Sequence, residues 1–150
     1  MGKRREGREA AVQFLYQLDA NQDQPDALAT HFWELRSAPG KRAGSARTRA
    51  FAEELVAGVM GHREEIDGRI KKYAANYELH RIAAVDRSIL RLAIYEMLYC
   101  YDVPPVVSIN EAIEIAKRFG SEESGRFVNG ILDRVRNELS RSPREAEPRP

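Results

Sequence analysis

Apolar residues recur along this chain at intervals of three and four, the spacing that gathers them on one side of a helix. Alternation of the strand type never lasts more than a few residues. The pattern predicts an all-α protein of about seven helices. The first spans roughly Arg4 to Ala20, with Ala11, Phe14, Leu15 and Leu18 as its apolar face. A second follows Pro25, with Leu28, Phe32 and Leu35 at helical spacing and Trp33 beside them. A third carries Phe51, Leu55, Val56, Val59 and Met60, and a fourth carries Ile66, Ile70 and Tyr73. Gly61 marks the joint between those two.

The fifth helix, about Ala84 to Tyr101, differs in kind. From Ile89 onward only Arg91 and Glu96 are charged, so its apolar surface wraps most of the way round and predicts a position at the centre of a bundle. Those two charges could pair with each other inside, or Arg91 could reach a surface used by a partner. Pro104 and Pro105 prevent its continuation because neither can donate a backbone hydrogen bond. The sixth helix has a capping-box start in Ser108-Ile109-Asn110-Glu111 and a core face of Ile109, Ala112, Ile113, Ala116 and Phe119. Gly120 suits a left-handed C-cap. Ser121 is then placed to cap a seventh helix with the face Phe127, Val128, Ile131, Leu132, Val135 and Leu139.

Between Ser37 and Arg49 the chain shifts to small residues, Gly, Pro and four cations, which predicts a flexible basic loop over 37–49. Residues 140–150 are Pro, Arg and Glu with nothing to bury and read as a disordered tail. With 150 residues, 43% of them hydrophobic and 31% charged, one all-helical domain over 1–139 is expected. The lone Cys100, set in an apolar run, reads as a small core hydrophobe and fits a reducing compartment. Neither a secretory leader nor an apolar stretch long enough to span a bilayer is found, so a cytoplasmic protein is expected.

A net charge of +1 excludes a global basic field, so any contact with nucleic acid must be local. Lys3, Arg4, Arg5 and Arg8 crowd the start and form a basic arm over 1–8. On a helical wheel Arg5, Arg8, Val12 and Tyr16 fall within one arc of about 80°, beside the apolar face. Cations for phosphates and a planar ring for an unstacked base are what single-stranded RNA requires. A frayed basic terminus, with Tyr16 packed at the edge of the core, fits the same spacing. Lys41, Arg42, Arg47 and Arg49 could add phosphate contacts or simply be solvated.

The signatures of an enzyme are missing: no GxxxxGK[ST], GxGxxG, HExxH, CxxC or GxSxG occurs. His31, His62 and His80 lie far apart on different predicted elements and read as surface or helix-end residues rather than metal ligands or bases. No catalytic residue, metal site or cofactor is therefore expected.

Three segments together resemble the NusB family of bacterial transcription antitermination factors. They are Arg8-Glu9-Ala10-Ala11-Val12-Gln13-Phe14-Leu15-Tyr16, Val85 to Glu96, and Val103 to Gly120 continued by Ser124 and Phe127-Val128-Asn129-Gly130-Ile131-Leu132-Asp133. The resemblance implies two helical bundles packed together. It also implies binding of boxA RNA jointly with NusE, a ribosomal small-subunit protein, in a complex with other Nus factors on RNA polymerase that supports ribosomal RNA transcription. By this resemblance the RNA-binding arm falls on Lys3, Arg4, Arg5 and Arg8, with Tyr16 as its tyrosine. A second RNA-contacting region falls on Glu123, Arg126 and Phe127, which moves Phe127 from the core to an exposed site where a base could stack. NusE docking is expected around the start of the fifth helix, with Asp86 as the acidic contact and Arg91 near it. Self-association into a homodimer is left open.

Two other readings compete. A similar module forms the N-terminal domain of ribosomal RNA cytosine methyltransferases, which would require a catalytic domain to follow. A helical oligomerisation scaffold would leave the basic arm incidental.

Overall fold

The computed structural model describes residues 3–20, 46–74 and 77–139. Within them the chain forms six α-helices and one 3₁₀ turn, and no strand is present among the described residues. The helices are α1 (Lys3–Ala20), α2 (Ala46–Gly61), α3 (Arg63–Tyr73), α4 (Ala84–Tyr99), α5 (Pro105–Phe119) and α6 (Ser124–Glu138), with the 3₁₀ turn at Leu79–Arg81 before α4. The helix expected after Pro25, most of the basic loop and the tail lie outside the described residues. The last four positions of that loop, 46–49, open α2 instead of preceding it. There Arg49 donates to Glu53 one turn on, at 2.8 Å, a local pairing that favours helix over loop.

The central position expected for the fifth helix is the one α4 occupies, in contact with each of the other five helices. Residues Ser88 to Ile94 are all buried without interruption, which only a helix covered on every side allows. α1 and α2 pack against each other and against α4 on one side, and α5 and α6 do the same on the other. The two helical bundles thus share α4. α3 joins the α4 and α6 surfaces, with acidic Glu64 and Glu65 in its first turn and Lys71 and Lys72 in its last, as the helix dipole favours.

The apolar faces are largely those the spacing predicts. Ala11, Phe14, Leu15, Leu55, Val56, Val59, Ile66, Ile70, Ile109, Ala112, Ala116, Val128, Ile131, Leu132 and Val135 are all buried. Met60 is 42% exposed and leaves the core, whereas Ile115 at 1% joins it. Cys100 is half-buried at the end of α4, where its N–H bonds to the Glu96 carbonyl, and it borders a cavity of about 160 Å³.

Three expected caps are corrected. α5 starts at Pro105, a residue whose missing N–H costs nothing in a first turn, with extended Pro104 before it and no side-chain cap. Ser108 and Glu111 therefore lie inside the helix and are used elsewhere. Gly120 is extended (φ −97°, ψ −166°), not left-handed. What constrains it is space, since a Cβ there would sit 2.8 Å from the Ala116 carbonyl oxygen and against the Ser124 side chain. Ser121 does not cap α6; its N–H donates to the Ser124 hydroxyl at 2.9 Å, and Glu123 precedes the helix with no side-chain bond.

α2 passes so close to α4 that a Cβ on Gly58 would enter the Tyr95 ring. Gly58→Ala is expected to destabilise the fold by about 1–3 kcal/mol through that clash, despite a gain in helix propensity. Gly68→Ala in α3, where nothing lies within 4 Å, should stabilise by about 0.5–1 kcal/mol. Urea denaturation of both variants beside the parent reads the contrast, and equal midpoints would contradict the packing of Tyr95 over α2.

Candidate nucleic-acid interface

The four cations of the arm do not share one fate. Lys3 opens α1. Arg4 is exposed, with its guanidinium carbon 4.8 Å from the centre of the Phe51 ring of α2. That approach is close because Gly7 is buried against α2: a Cβ there would come 2.6 Å from Phe51 Cδ2. Arg5 is a quarter exposed and forms a two-pronged pair with Glu111 of α5, Nε to Oε1 at 2.9 Å and Nη2 to Oε2 at 2.5 Å. Arg8 is 5% exposed. Its Nε donates to Glu96 Oε1 at 2.8 Å and its Nη2 to Glu96 Oε2 at 3.0 Å, and Glu111 stands 3.7 Å away. Glu96, itself 1% exposed on α4, also accepts from the Ser108 hydroxyl at 3.1 Å.

The strip read from the wheel is therefore interrupted. Arg8 and Val12 face inward, while Tyr16, 44% exposed, presents its ring to solvent about 16 Å along the helix from Arg5. A second tie, from Arg118 to Glu9 at 2.9 Å, reinforces the fastening of α1 to α5. The hydrogen bonds from Arg5 hold the Glu111 carboxyl below the usual glutamate range, against a smaller opposing effect of burial. The same bonds raise the Arg5 guanidinium above its ordinary value.

At the start of α6, Glu123 and Arg126 are exposed and Phe127 is half-buried. The ring of Phe127 meets exposed Tyr77 edge to face, with centroids 5.7 Å apart. Tyr77 did not stand out in the sequence, since it belongs to no apolar period and follows the polar Asn76 in a connecting stretch.

Asp86 lies in the first turn of α4 and is 7% exposed, and its Oδ1 has no hydrogen-bond partner among the described residues. Arg91 is placed inside the protein. Its Nε and Nη2 donate to Asp67 at 2.8 and 3.1 Å, and Nη1 reaches Asp19 at 3.3 Å. Arg91 and Glu96 therefore do not pair with each other. Burial raises the Asp19 carboxyl, but the hydrogen bond and charge of Arg87, helped by Arg91, outweigh it and leave Asp19 below its ordinary value. His62 stacks on Tyr99 with centroids 3.9 Å apart and His80 is exposed beside Glu78, while His31 lies outside the described residues. No group of three metal-ligating side chains occurs among the described residues, and no described helix is long and apolar enough to cross a membrane.

An all-helical body with internally paired charges, an exposed arginine at one helix terminus and aromatic rings beside other cations has the make-up of a binding protein. Comparison with known proteins identifies which. The model of the NusB family matches residues 5–137. Transcription antitermination protein NusB of Myxococcus xanthus is 49% identical over 90% of this chain and 95% of that protein, and that of Geobacter sulfurreducens 48% over 93% and 97%. Among solved structures, NusB of T. maritima aligns at a TM-score of 0.79 and 36% identity, covering 92% of this chain and 93% of that one. A crystal structure of antitermination factors NusB and NusE in complex with dsRNA aligns at a TM-score of 0.77 and 27% identity, covering 93% of this chain and 99% of that one. The chain belongs to the NusB family of transcription antitermination factors and is not an enzyme.

Two outcomes test the charge geometry. Glu96→Ala strands the Arg8 guanidinium in the interior and is expected to cost about 3–5 kcal/mol. Adding Arg8→Ala should recover part of that loss, which a double-mutant cycle in urea measures; strict additivity would mean that the pair does not interact. For Glu111, the lowered carboxyl contributes stability that is complete above the unfolded-state value and is lost as pH falls through the lower, folded one. An NMR titration should place Glu111 below the ordinary glutamate range, and Arg5→Ala should move it upward. An unmoved titration would contradict the pairing.

Proposed function

We propose that this protein binds boxA RNA together with NusE, a ribosomal small-subunit protein, within a complex that includes other Nus factors and RNA polymerase and supports ribosomal RNA transcription in the bacterial cytoplasm. The observation that carries the reading is the likeness over nearly the whole chain to a protein solved in complex with NusE and dsRNA. The surface chemistry is consistent with it. Lys3, Arg4 and Arg5 supply cations at the start of α1, and Tyr16 offers an exposed ring further along the same helix. Arg8, held by Glu96, acts by fixing the arm in place rather than by meeting phosphate. Glu123, Arg126 and Phe127 form the second contact. NusE docks at the start of α4, where the unpaired Asp86 oxygen awaits a donor and Arg91 supports the surface from within.

Titration of labelled boxA RNA against a scrambled control, with and without NusE, tests the reading. Arg4→Ala combined with Arg5→Ala is expected to weaken boxA binding by about tenfold or more, and removing each cation that meets a phosphate should flatten the log-log salt dependence by about 0.7. Tyr16→Ala should weaken binding with melting unchanged. NusE should raise RNA affinity. Equal affinity for boxA and scrambled RNA in the presence of NusE would refute the proposal.

A further inference from the structure

Beside the start of α1, a cavity of about 160 Å³ is bounded by α2, α4 and the turn that leads into α5. The rings of Phe51 and Tyr95 form two of its walls, and Arg4, Glu54 and Asp102, all exposed, bring charge to it. Phe51 is held against α1 by the close approach at Gly7, and two guanidinium carbons stand near its ring centre, that of Arg4 at 4.8 Å and that of Arg8 at 5.8 Å. These two cations differ in what neutralises them. Arg8 is paired with Glu96 on the inner side, whereas Arg4 forms no ion pair among the described residues, and neither do Glu54 and Asp102. Glu53, the neighbour of Glu54 on α2, is by contrast matched with Arg49. One cation and two carboxylates that border a common cavity are therefore left without partners.

Opposite charges around a partly enclosed space attract one another more strongly than the same charges in open water. The cavity far exceeds the volume that one water molecule needs, so the guanidinium has room to swing from the Phe51 face towards the carboxylates. The ring stays at its back there, and cation–π attraction gains from partial desolvation. Carboxylate and phosphate compete for the same planar fork of donors, so an arginine held by one is not free to grip the other. We propose that Glu54 and Asp102 act as an internal competitor for the RNA-binding arm: in the free protein they draw Arg4 into the mouth of the Phe51 cavity, and RNA must displace them to recruit its guanidinium. This rests on the RNA-binding reading above and adds to it a brake that lowers the arm's affinity for polyanions. An anion that engages only Arg4 meets the full competition, whereas boxA RNA bound with NusE has further contacts to offset it.

Two measurements on the full chain test this. In an anisotropy titration with NusE and labelled boxA RNA, Glu54→Gln combined with Asp102→Asn is expected to raise affinity about 2- to 10-fold. Both side chains are exposed, so melting should be unchanged. The gain should vanish when the same two substitutions are made in Arg4→Ala. An equal gain in both backgrounds would mean that the carboxylates act only through their general field, and no gain in either would mean that they do not act on the arm; each result overturns the proposal. The second measurement needs no RNA. Cys100 is the only cysteine of the chain and lines the cavity, so its alkylation by neutral iodoacetamide reports whether the mouth is covered. Arg4→Ala should accelerate that reaction. Loss of a nearby cation would by itself disfavour the thiolate and slow it, so acceleration reports uncovering, and an unchanged or slower rate overturns the placing of Arg4 in the mouth. If Cys100 responds as expected but the wild type fails to bind boxA RNA at all, Arg4 does occupy the cavity, the RNA-binding reading falls, and the competitor falls with it.

Discussion

The arrangement of this molecule depends on one buried carboxylate. Glu96 lies in the middle of the most apolar helix, 1% exposed, where an unpaired charge would cost several kcal/mol. It is satisfied by Arg8 of α1 and Ser108 of α5, so a single side chain of α4 fastens the helices on either side. A slip of α1 by one turn would carry Arg8 about 5.4 Å from its partner. The pair therefore sets the register of the first helix. With Arg8 turned inward, Arg4 and Arg5, one turn earlier on the same flank, are held where α1 emerges from the bundle. The accessibility of the arm is thus a consequence of the burial of its last cation.

The far end of α1 is fastened with the opposite polarity. There Asp19 supplies the negative charge, and Arg87 and Arg91 of α4 supply the positive ones, with Arg63 3.7 Å away and Asp67 closing the set through Arg91. Arg87 also donates to the carbonyl oxygens of Leu79 and Ile82 and so ties the 3₁₀ turn to α4. Two ion pairs of reversed sense, at the two ends of one helix, make antiparallel or shifted docking of α1 electrostatically unfavourable. Hydrophobic contacts alone, being non-directional, would discriminate far less.

The apolar faces were legible because helical periodicity is a local property and burial follows it with few exceptions. The fate of the charges was not. Arg8 belongs to the same basic run as Arg4 and Arg5, and only its position one turn before Ala11 and Val12 distinguishes it. Glu96 did carry a signal, since a lone carboxylate in an apolar helix demands a partner, but Arg91 on the same helix was as plausible a partner as Arg8. Ser108 and Glu111 satisfied the local rule for a capping box. They were claimed instead by Glu96 and Arg5, because a buried or half-buried charge gains more from a long-range partner than a solvent-exposed helix start gains from a cap. The contact of Tyr77 with Phe127 needed three dimensions, since the two rings belong to residues about fifty positions apart.

Internal pairing also explains how a chain of nearly zero net charge can present cations to an anion. Most arginines of the described bundle are neutralised by carboxylates, which removes them from any long-range field. Arg4, Arg47, Arg126 and Arg134 form no ion pair among the described residues, and three of them lie against or beside an aromatic residue: Arg4 by Phe51, Arg126 by Phe127 and Arg134 by Tyr73. Cation and ring together offer phosphate and base recognition in one place, whereas a cation alone offers only charge. Selectivity for a single-stranded polyanion over a duplex would then come from the rings, because only an unpaired base can lie on them. The charges would contribute affinity without choosing the sequence.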